Sequence, residues 1–142
     1  MLQPTEITQF IFGQPLSGAN LVSASLENAC LAKADMEFAL MANAVLQGAC
    51  LGEADISGAQ LDAAVLTGAD LRKANMRGAG LRDARLDGVD LRDARLGGAF
   101  LAGASLRGAN LCGAYLRLAR LDGADLSDAD LRGQSREGRG AQ

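Results

Sequence analysis

One pattern constrains this chain more than any other: a large aliphatic side chain returns at every fifth position. From Leu16 to Leu131 the series is unbroken over 24 positions, of which twenty are Leu, three are Met and one is Ile. We call this position i. Position i−2 is Ala in 22 of 23 places from 19 to 129, with Val89 as the exception, and position i+2 is Gly in half of its places. Such strict repetition indicates a fold in which one small unit stacks on itself.

A period of five fits neither regular secondary structure. Positions five apart drift by about 140° around an α-helix and cannot form one stripe, whereas in a plain strand they alternate between the two faces. The pattern is satisfied if each five residues form a short extended piece followed by a turn. The residues at i−2 and i then both point inward, and Gly at i+2 supplies a turn conformation of positive φ. The sequence therefore predicts an interior of Ala and Leu, with the other three positions facing water.

The unit resembles the pentapeptide repeat, whose consensus is A(D/N)LXX. Direct matches are ADLRK at 69–73, ANLCG at 109–113 and ADLRG at 129–133. The resemblance covers residues 14–133 and implies an all-β fold, a right-handed quadrilateral parallel β-helix of about six coils with four pentapeptides in each. Stacked coils of this solenoid would pair as parallel ladders about 4.8 Å apart. Its narrow interior explains Ala at i−2, since a larger side chain would overpack.

The two ends of the repeat differ in composition. Residues 1–13 hold Ile7, Phe10 and Ile11 at helical spacing, which predicts a short helical cap over the first coil; the alternative is that the aliphatic ladder simply starts early. Residues 134–142 form a polar, Gly-rich tail that we expect to be flexible. Because the last coil then lacks an apolar cap, its unpaired backbone edge favours self-association. We expect at most a weak homodimer through the C-terminal coil.

The composition excludes the commonest catalytic chemistry. The chain has no His, so no Ser-His or Cys-His nucleophile pair can form. Neither a phosphate-cradling G-x-x-x-x-G-K-[ST] nor a dinucleotide-binding motif occurs in its proper context. We therefore expect no enzyme, no cofactor and no metal. Because no run of 18 apolar residues and no secretory signal pattern are present, we expect a cytoplasmic protein without a membrane partner.

Two of the three cysteines are expected to be neighbours. Cys30 and Cys50 both occupy i−1 and are 20 residues apart, which is one coil. That is close enough for a disulfide or a shared metal, although two thiols without His make a poor zinc site. The simpler expectation in a reducing compartment is two unreacted side chains. Cys112 lies about three coils further along and cannot join them.

The outer surface is the part of such a chain that can act. Solenoids commonly bind through extended surfaces, so we expect a non-catalytic protein-binding or scaffold protein whose protein partner is unknown. In the second coil, exposed apolar residues stand beside acids, and the candidate partner surface consists of Phe38, Leu40, Val45, Asp35, Glu37 and Asp55. The alternative is a solvated surface, because single exposed apolar residues need no explanation and neighbouring like charges cost about 1 kcal/mol or less per pair.

The resemblance also implies an alternative function. Some pentapeptide-repeat proteins resemble duplex DNA in shape and negative charge, bind DNA gyrase and protect it from quinolones. Here the charge is divided: residues 1–70 carry a net charge of −7 and residues 71–142 a net charge of +4. DNA-mimicking modulation of gyrase is therefore the second hypothesis, since a mimic should be negative throughout. Direct nucleic-acid binding is not expected, because acids interrupt the basic residues and stacking aromatics are few.

Overall fold

Backbone pairing repeats along the whole of the part of the chain that the computed structural model describes, residues 15–134. Twenty isolated parallel bridges each join residues that are 20 apart, from Pro15 with Asp35 to Asn110 with Asp130. One bridge occurs every five residues, so each 20-residue turn of the chain has four paired sides. Across residues 15–134 there is no helix and no strand longer than a single bridged residue. The helical cap predicted within residues 1–13 lies outside the described residues, as does the tail after Gln134.

Three hydrogen bonds connect each pentapeptide to the next coil. The amide of Leu31 donates to the carbonyl of Cys50 at 2.7 Å, and the amide of Cys50 donates to the carbonyl of Ala29 at 2.9 Å. At the turn, the amide of Lys33 donates to the carbonyl of Gly52 at 2.9 Å. The same pattern recurs with a shift of five residues along the chain. The coils therefore satisfy one another's backbone groups, which an isolated five-residue piece could not do.

Each side ends in a tight turn. The amide of Ala34 donates to the carbonyl of Leu31 at 3.1 Å, and between them Lys33 has a φ of 60°. All 24 residues at i+2 have φ between 58° and 73°, so the predicted turn conformation is confirmed. Gly adopts it at little cost, but half of these positions hold another residue. An L side chain in this region costs about 1–2 kcal/mol, which the ladder of coils must offset.

The interior contains only the two inward registers. Every i residue from position 21 to 111 and every i−2 residue from position 24 to 114 is at most 2% exposed. No polar or charged side chain is buried between residues 15 and 134. Val89 is 1% exposed and still closes its turn on Leu86 at 3.2 Å, so the interior accommodates its extra methyl groups. The inward assignment of Ala and Leu is confirmed.

Burial falls at the C-terminal end of the described rod. Leu116, Leu121 and Leu126 are only partly buried, and Leu131 is 39% exposed. An apolar cavity of about 140 Å³ opens among these leucines and those of the coil above. The last coil therefore presents apolar surface at this end.

Four sides, called faces 1 to 4, position every outward residue. Face 1 carries the i residues 16, 36, 56, 76, 96 and 116, which also number the first to sixth described coils. Faces 2, 3 and 4 begin at i residues 21, 26 and 31 and continue in steps of 20. On every face, residues i−1, i+1 and i+2 form three outward columns along the rod. The i+2 column stands at the corner with the next face.

Candidate protein-interaction surface

Asp and Asn side chains at i−1 accept hydrogen bonds from the backbone. The side chain of Asp70 accepts a hydrogen bond from the amide of Arg72 at 3.1 Å, and that of Asn110 accepts one from Cys112 at 3.1 Å. A short carboxylate or amide side chain is suited to such a contact two residues on. This explains the acid or amide of the repeat. The same contact is made by Asn20, Asp35, Asp55, Asn75, Asp90, Asp125 and Asp130.

On face 4, neighbouring Asp and Arg side chains pair with each other. Asp70 accepts two hydrogen bonds from the Arg72 guanidinium, at 2.9 and 2.7 Å, and Asp90 accepts two from Arg92, at 2.9 and 2.6 Å. Arg72 also reaches Asp90 in the next coil at 3.8 Å. Chiefly through these hydrogen bonds, the pKa of each Asp is lowered and that of each Arg is raised. Because the pairs are exposed, their contribution to stability is small.

Face 1 brings together the three acids of the candidate surface, which we call the acidic patch. Carboxylate oxygens of Asp35, Glu37 and Asp55 lie within 4.8 Å of one another. Ser57 donates its hydroxyl to Asp55 at 2.6 Å and lies 3.4 Å from a Glu37 oxygen. No base stands in the outward columns of face 1 in these two coils. A flat, solvated set of carboxylates does not enclose an ion, so we assign it no metal.

The apolar members of the candidate surface lie on two sides of the rod. Phe38 is 64% exposed at the corner between faces 1 and 2, and Leu40, 36% exposed, starts face 2 just past that corner. Val45 is half-buried and stands on face 3, where it pairs with Val65 of the next coil. The structure thus places Phe38 and Leu40 together beside the acidic patch, with Val45 one face further on.

A further exposed apolar residue stands at the other end of the rod, outside the candidate surface. Leu118 is 78% exposed, has a φ of 62° and stands in the same corner column as Phe38, four coils away. Among the 24 residues at i+2, these two alone have large apolar side chains. Both residues therefore place a large apolar side chain at a position that favours Gly.

The remaining outward aromatic residues have local partners. The guanidinium carbon of Arg82 lies 4.7 Å from the centre of the Phe100 ring, and that of Arg95 lies 5.9 Å from the Tyr115 ring. Contacts of this kind contribute about 0.5–1 kcal/mol at exposed sites. Phe100 and Tyr115 therefore pack against arginine side chains.

The cysteines lie where the repeat predicts. Cys30 and Cys50 are joined by a parallel bridge, and both are exposed free thiols. Cys112 stands three coils below Cys50 in the i+1 column. A hydrogen bond to Asp130 raises the pKa of the Cys112 thiol. The stacked pair is accessible to oxidants, but nothing else described around it supplies the further ligands of a zinc site.

Residues 15–134 bury no polar or charged side chain. No helix in that range is long and apolar enough to span a membrane. What the described surface does offer is long, flat columns of outward side chains.

These features define a class of protein: a β-helical solenoid with four flat sides, built from five-residue units. The family model for pentapeptide repeats matches residues 19–58, 54–93 and 94–133. The chain belongs to the pentapeptide-repeat family, which confirms the resemblance seen in its sequence.

Solved structures of pentapeptide repeat proteins are similar to this chain, and proteins of this family form right-handed quadrilateral β-helices. Rfr23 from the cyanobacterium Cyanothece 51142 is 34% identical, with a TM-score of 0.50 over 64% of this chain and 58% of its own. A pentapeptide repeat protein from Nostoc PCC 7120 is 40% identical, with a TM-score of 0.48 over 56% of this chain and 62% of its own. The matched regions therefore span less than two thirds of either relative.

QnrB1, a plasmid-mediated fluoroquinolone resistance protein, is a more distant likeness. It is 17% identical to this chain, with a TM-score of 0.49 over 95% of this chain and 82% of its own. An identity this low carries no information on function. No curated protein sequence matches the chain.

Proposed function

We propose that this chain is a non-catalytic, protein-binding solenoid, and that its partner contacts the corner formed by Phe38 and Leu40. The observation that carries the proposal is the state of Phe38. Its ring is 64% exposed, which leaves apolar area in water. Its φ of 58° is unfavourable for a residue with a side chain. A partner that covers the ring recovers the hydrophobic cost of that exposure.

The surroundings of this corner indicate the chemistry of the partner. The acidic patch lies directly beside Phe38 on face 1, with its carboxylates within 4.8 Å of one another. Mutual repulsion among them is relieved when a base approaches. An apolar anchor beside charged groups is a common plan for a protein interface, in which an apolar centre is surrounded by a polar rim. We therefore expect a partner with an apolar pocket next to Lys or Arg side chains.

Capture of the partner from the native host with tagged variants tests this surface. Leu40→Ser and Phe38→Ser are each expected to lose a protein that the wild-type chain retains, because each removes an apolar contact. Phe100→Ser is the matched control, since Phe100 lies on face 2 three coils below Leu40. A photo-crosslinker placed at position 40 is expected to form a covalent link to the same protein. Retention of every captured protein by both corner variants would remove the proposed surface.

A second proposal concerns the C-terminal coil, where we infer a weak homodimer that joins two rods end to end. It is supported by the partly buried leucines of that coil and the apolar cavity of about 140 Å³ among them. One coil has a small cross-section, so the contact area is below that of a stable interface. Light scattering at rising concentration in high salt, which screens ionic contacts elsewhere on the rod, is expected to show a dimer in wild type that Leu126→Lys with Leu131→Lys abolishes. A monomer at every concentration, or a dimer untouched by both changes, excludes it.

A further inference from the structure

Face 1 is divided into two ends of opposite charge. Its second and third coils carry the acidic patch and no base. Its fourth, fifth and sixth coils carry Arg77, Arg95 and Arg117 and no acid; we call these three the basic patch. The other faces mix both signs within single coils, as in Arg82 with Asp83, Arg85 with Asp87, and Asp70 with Arg72. Face 1 is thus the one side of the described rod whose charges are fully separated.

The corner column of face 1 has a matching symmetry. Phe38 in the second coil and Leu118 in the sixth are 64% and 78% exposed, and the three residues between them in that column are Gly58, Gly78 and Gly98. The column therefore has an apolar side chain near each end and only glycine between. Gly78 stands midway, two coils from each apolar residue.

We propose that face 1 binds face 1 of a second copy of this chain, with the two rods antiparallel. A two-fold axis in the contact plane, parallel to the extended segments and level with Gly78, reverses the order of the coils. It also keeps each column opposite the same column of the other copy, which makes the contact isologous and closed. Phe38 then faces the second copy's Leu118, and this apolar contact occurs twice.

The same operation pairs the two charged patches. Glu37 shares a column and a mirrored coil with Arg117, and Asp55 does so with Arg95. Each acid therefore faces a base of the second copy, and each pair also occurs twice. Asp35 comes opposite Tyr115, whose hydroxyl is a hydrogen-bond donor. A parallel arrangement of the rods would instead oppose like charges along the whole face, which costs free energy.

Two features limit the strength of this contact. Arg77 lies nearest to the axis and meets the same residue of the second copy, which adds one like-charge pair to the contact. The opposite corner of face 1 opposes the contact, because the same axis brings Glu53 opposite Asp93 and Lys73 opposite Lys73 of the second copy. The preference for the antiparallel arrangement therefore comes from the centre of the face and its apolar corner.

The area of one side suffices for a modest dimer. The chain has an accessible surface of 6974 Å², and one of its four sides is less than a quarter of this. A standard interface buries roughly 800 Å² on each partner, so the contact has to cover more than about half of one side. We expect a dissociation constant on the order of 10 μM at low salt and a weaker dimer at high salt, since the charge pairs are solvated.

This inference deepens the proposed function, because it names a second copy as the partner of face 1. Phe38 belongs to both contacts, so the second copy and another protein compete for it, whereas Leu40 stands on face 2 outside the dimer contact. Leu40→Ser is therefore expected to abolish partner capture and leave this dimer intact. Arg117→Glu, in the sixth coil of face 1, is expected to weaken the dimer and leave partner capture unchanged, so failure of one proposal is distinguishable from failure of the other.

Sedimentation velocity with charge-reversed variants tests the pairing of Glu37 with Arg117. Glu37→Arg and Arg117→Glu each place two like-charge pairs in the homodimer, and each is expected to weaken it by about tenfold or more. An equimolar mixture of these two variants is expected to dimerise again, because in the mixed dimer each charge meets its opposite. The double variant Glu37→Arg with Arg117→Glu is expected to dimerise alone for the same reason.

The controls reverse a charge on face 3, with Glu27→Arg and Arg85→Glu, and are expected to behave as wild type. Leu126→Lys with Leu131→Lys is also expected to retain this dimer, because it alters only the end of the rod. Circular dichroism of each variant shows whether its fold is intact. A wild-type chain that stays monomeric up to about 100 μM at low salt overturns the proposal, on the affinity expected for an interface of this size. So does a mixture of the two face 1 variants that fails to dimerise.

Discussion

The ring of Phe38 lies along the rod directly against Gly58 of the next coil. A Cβ atom built on Gly58 would come within 2.5 Å of the ring, closer than real Cβ contacts allow. Gly58 therefore does two things: it adopts the turn conformation, with a φ of 63°, and it makes room for the aromatic ring. The position of the Phe38 ring on the apolar corner depends on that missing side chain.

Gly58→Ala is accordingly expected to cost more than the same change at an open turn. The Ala must adopt a positive φ and also displace the Phe38 ring, for a total of about 1–3 kcal/mol. At Gly68, with a φ of 67° and nothing within 4 Å of a Cβ, only the backbone cost of about 1 kcal/mol applies. Urea unfolding measures both, and Phe38→Ala should bring the cost of Gly58→Ala down to that of Gly68→Ala. Equal losses in the two Gly variants would contradict the contact.

The inward register predicts a sharp contrast between neighbouring residues. Leu71 is fully buried, and Leu71→Ala is expected to cost about 2–5 kcal/mol, the usual range for a buried Leu. Arg72→Ala, one residue further along but facing water, is expected to change stability by no more than about 0.5 kcal/mol. Denaturant midpoints give the comparison, and Leu91→Ala repeats it one coil below. Similar midpoints for Leu71→Ala and Arg72→Ala would refute the inward assignment.

The Asp–Arg ladder of face 4 predicts a loss of stability in acid. Asp70 and Asp90 have pKa values lowered from the ordinary 3.8, chiefly by hydrogen bonds from Arg72 and Arg92. A carboxylate whose pKa is lowered by folding stabilises the fold above its unfolded pKa, and this contribution disappears as the pH falls through the folded value. The free energy of unfolding should therefore fall as the pH drops below about 4.

Asp70→Asn with Asp90→Asn tests the origin of that pH dependence. Asn is still able to accept the hydrogen bond from the amide two residues on, so the backbone contact is kept while the titrating groups are removed. We expect urea midpoints of the double variant to fall less steeply between about pH 5 and pH 3 than those of wild type. Identical slopes would show that other carboxylates account for the acid sensitivity.

Inhibition of DNA gyrase is expected to be absent or weak. A protein that imitates duplex DNA must present negative charge along its length, whereas Arg77, Arg95 and Arg117 make one end of face 1 basic. The measurement is a supercoiling assay with the purified chain over a range of concentrations. Potent inhibition near one chain per gyrase would make DNA mimicry the leading account of the function.

The period of five was sufficient to predict the interior. Leu71 and Ala69 are both buried because of their positions in the repeat. Every unit has the same backbone path, and the interior admits only small and aliphatic side chains. The same repeat also sets the turn conformation at i+2. If four units make one coil, it places Cys30 directly above Cys50 as well. The resemblance to the pentapeptide repeat supplied that number, and the bridges with their 20-residue offset agree with it.

The tertiary structure alone decided how outward side chains meet. The ring of Phe38 against Gly58, the hydroxyl of Ser57 on Asp55 and the two hydrogen bonds from Arg72 to Asp70 depend on side-chain conformations that no periodicity specifies. The partial exposure of Leu126 likewise depends on its place at the end of the described rod, because its register is the same as that of buried Leu106. The repeat determines the inside of this protein because burial is a periodic property. Contacts on its surface depend on the particular neighbours that each 20-residue step brings together.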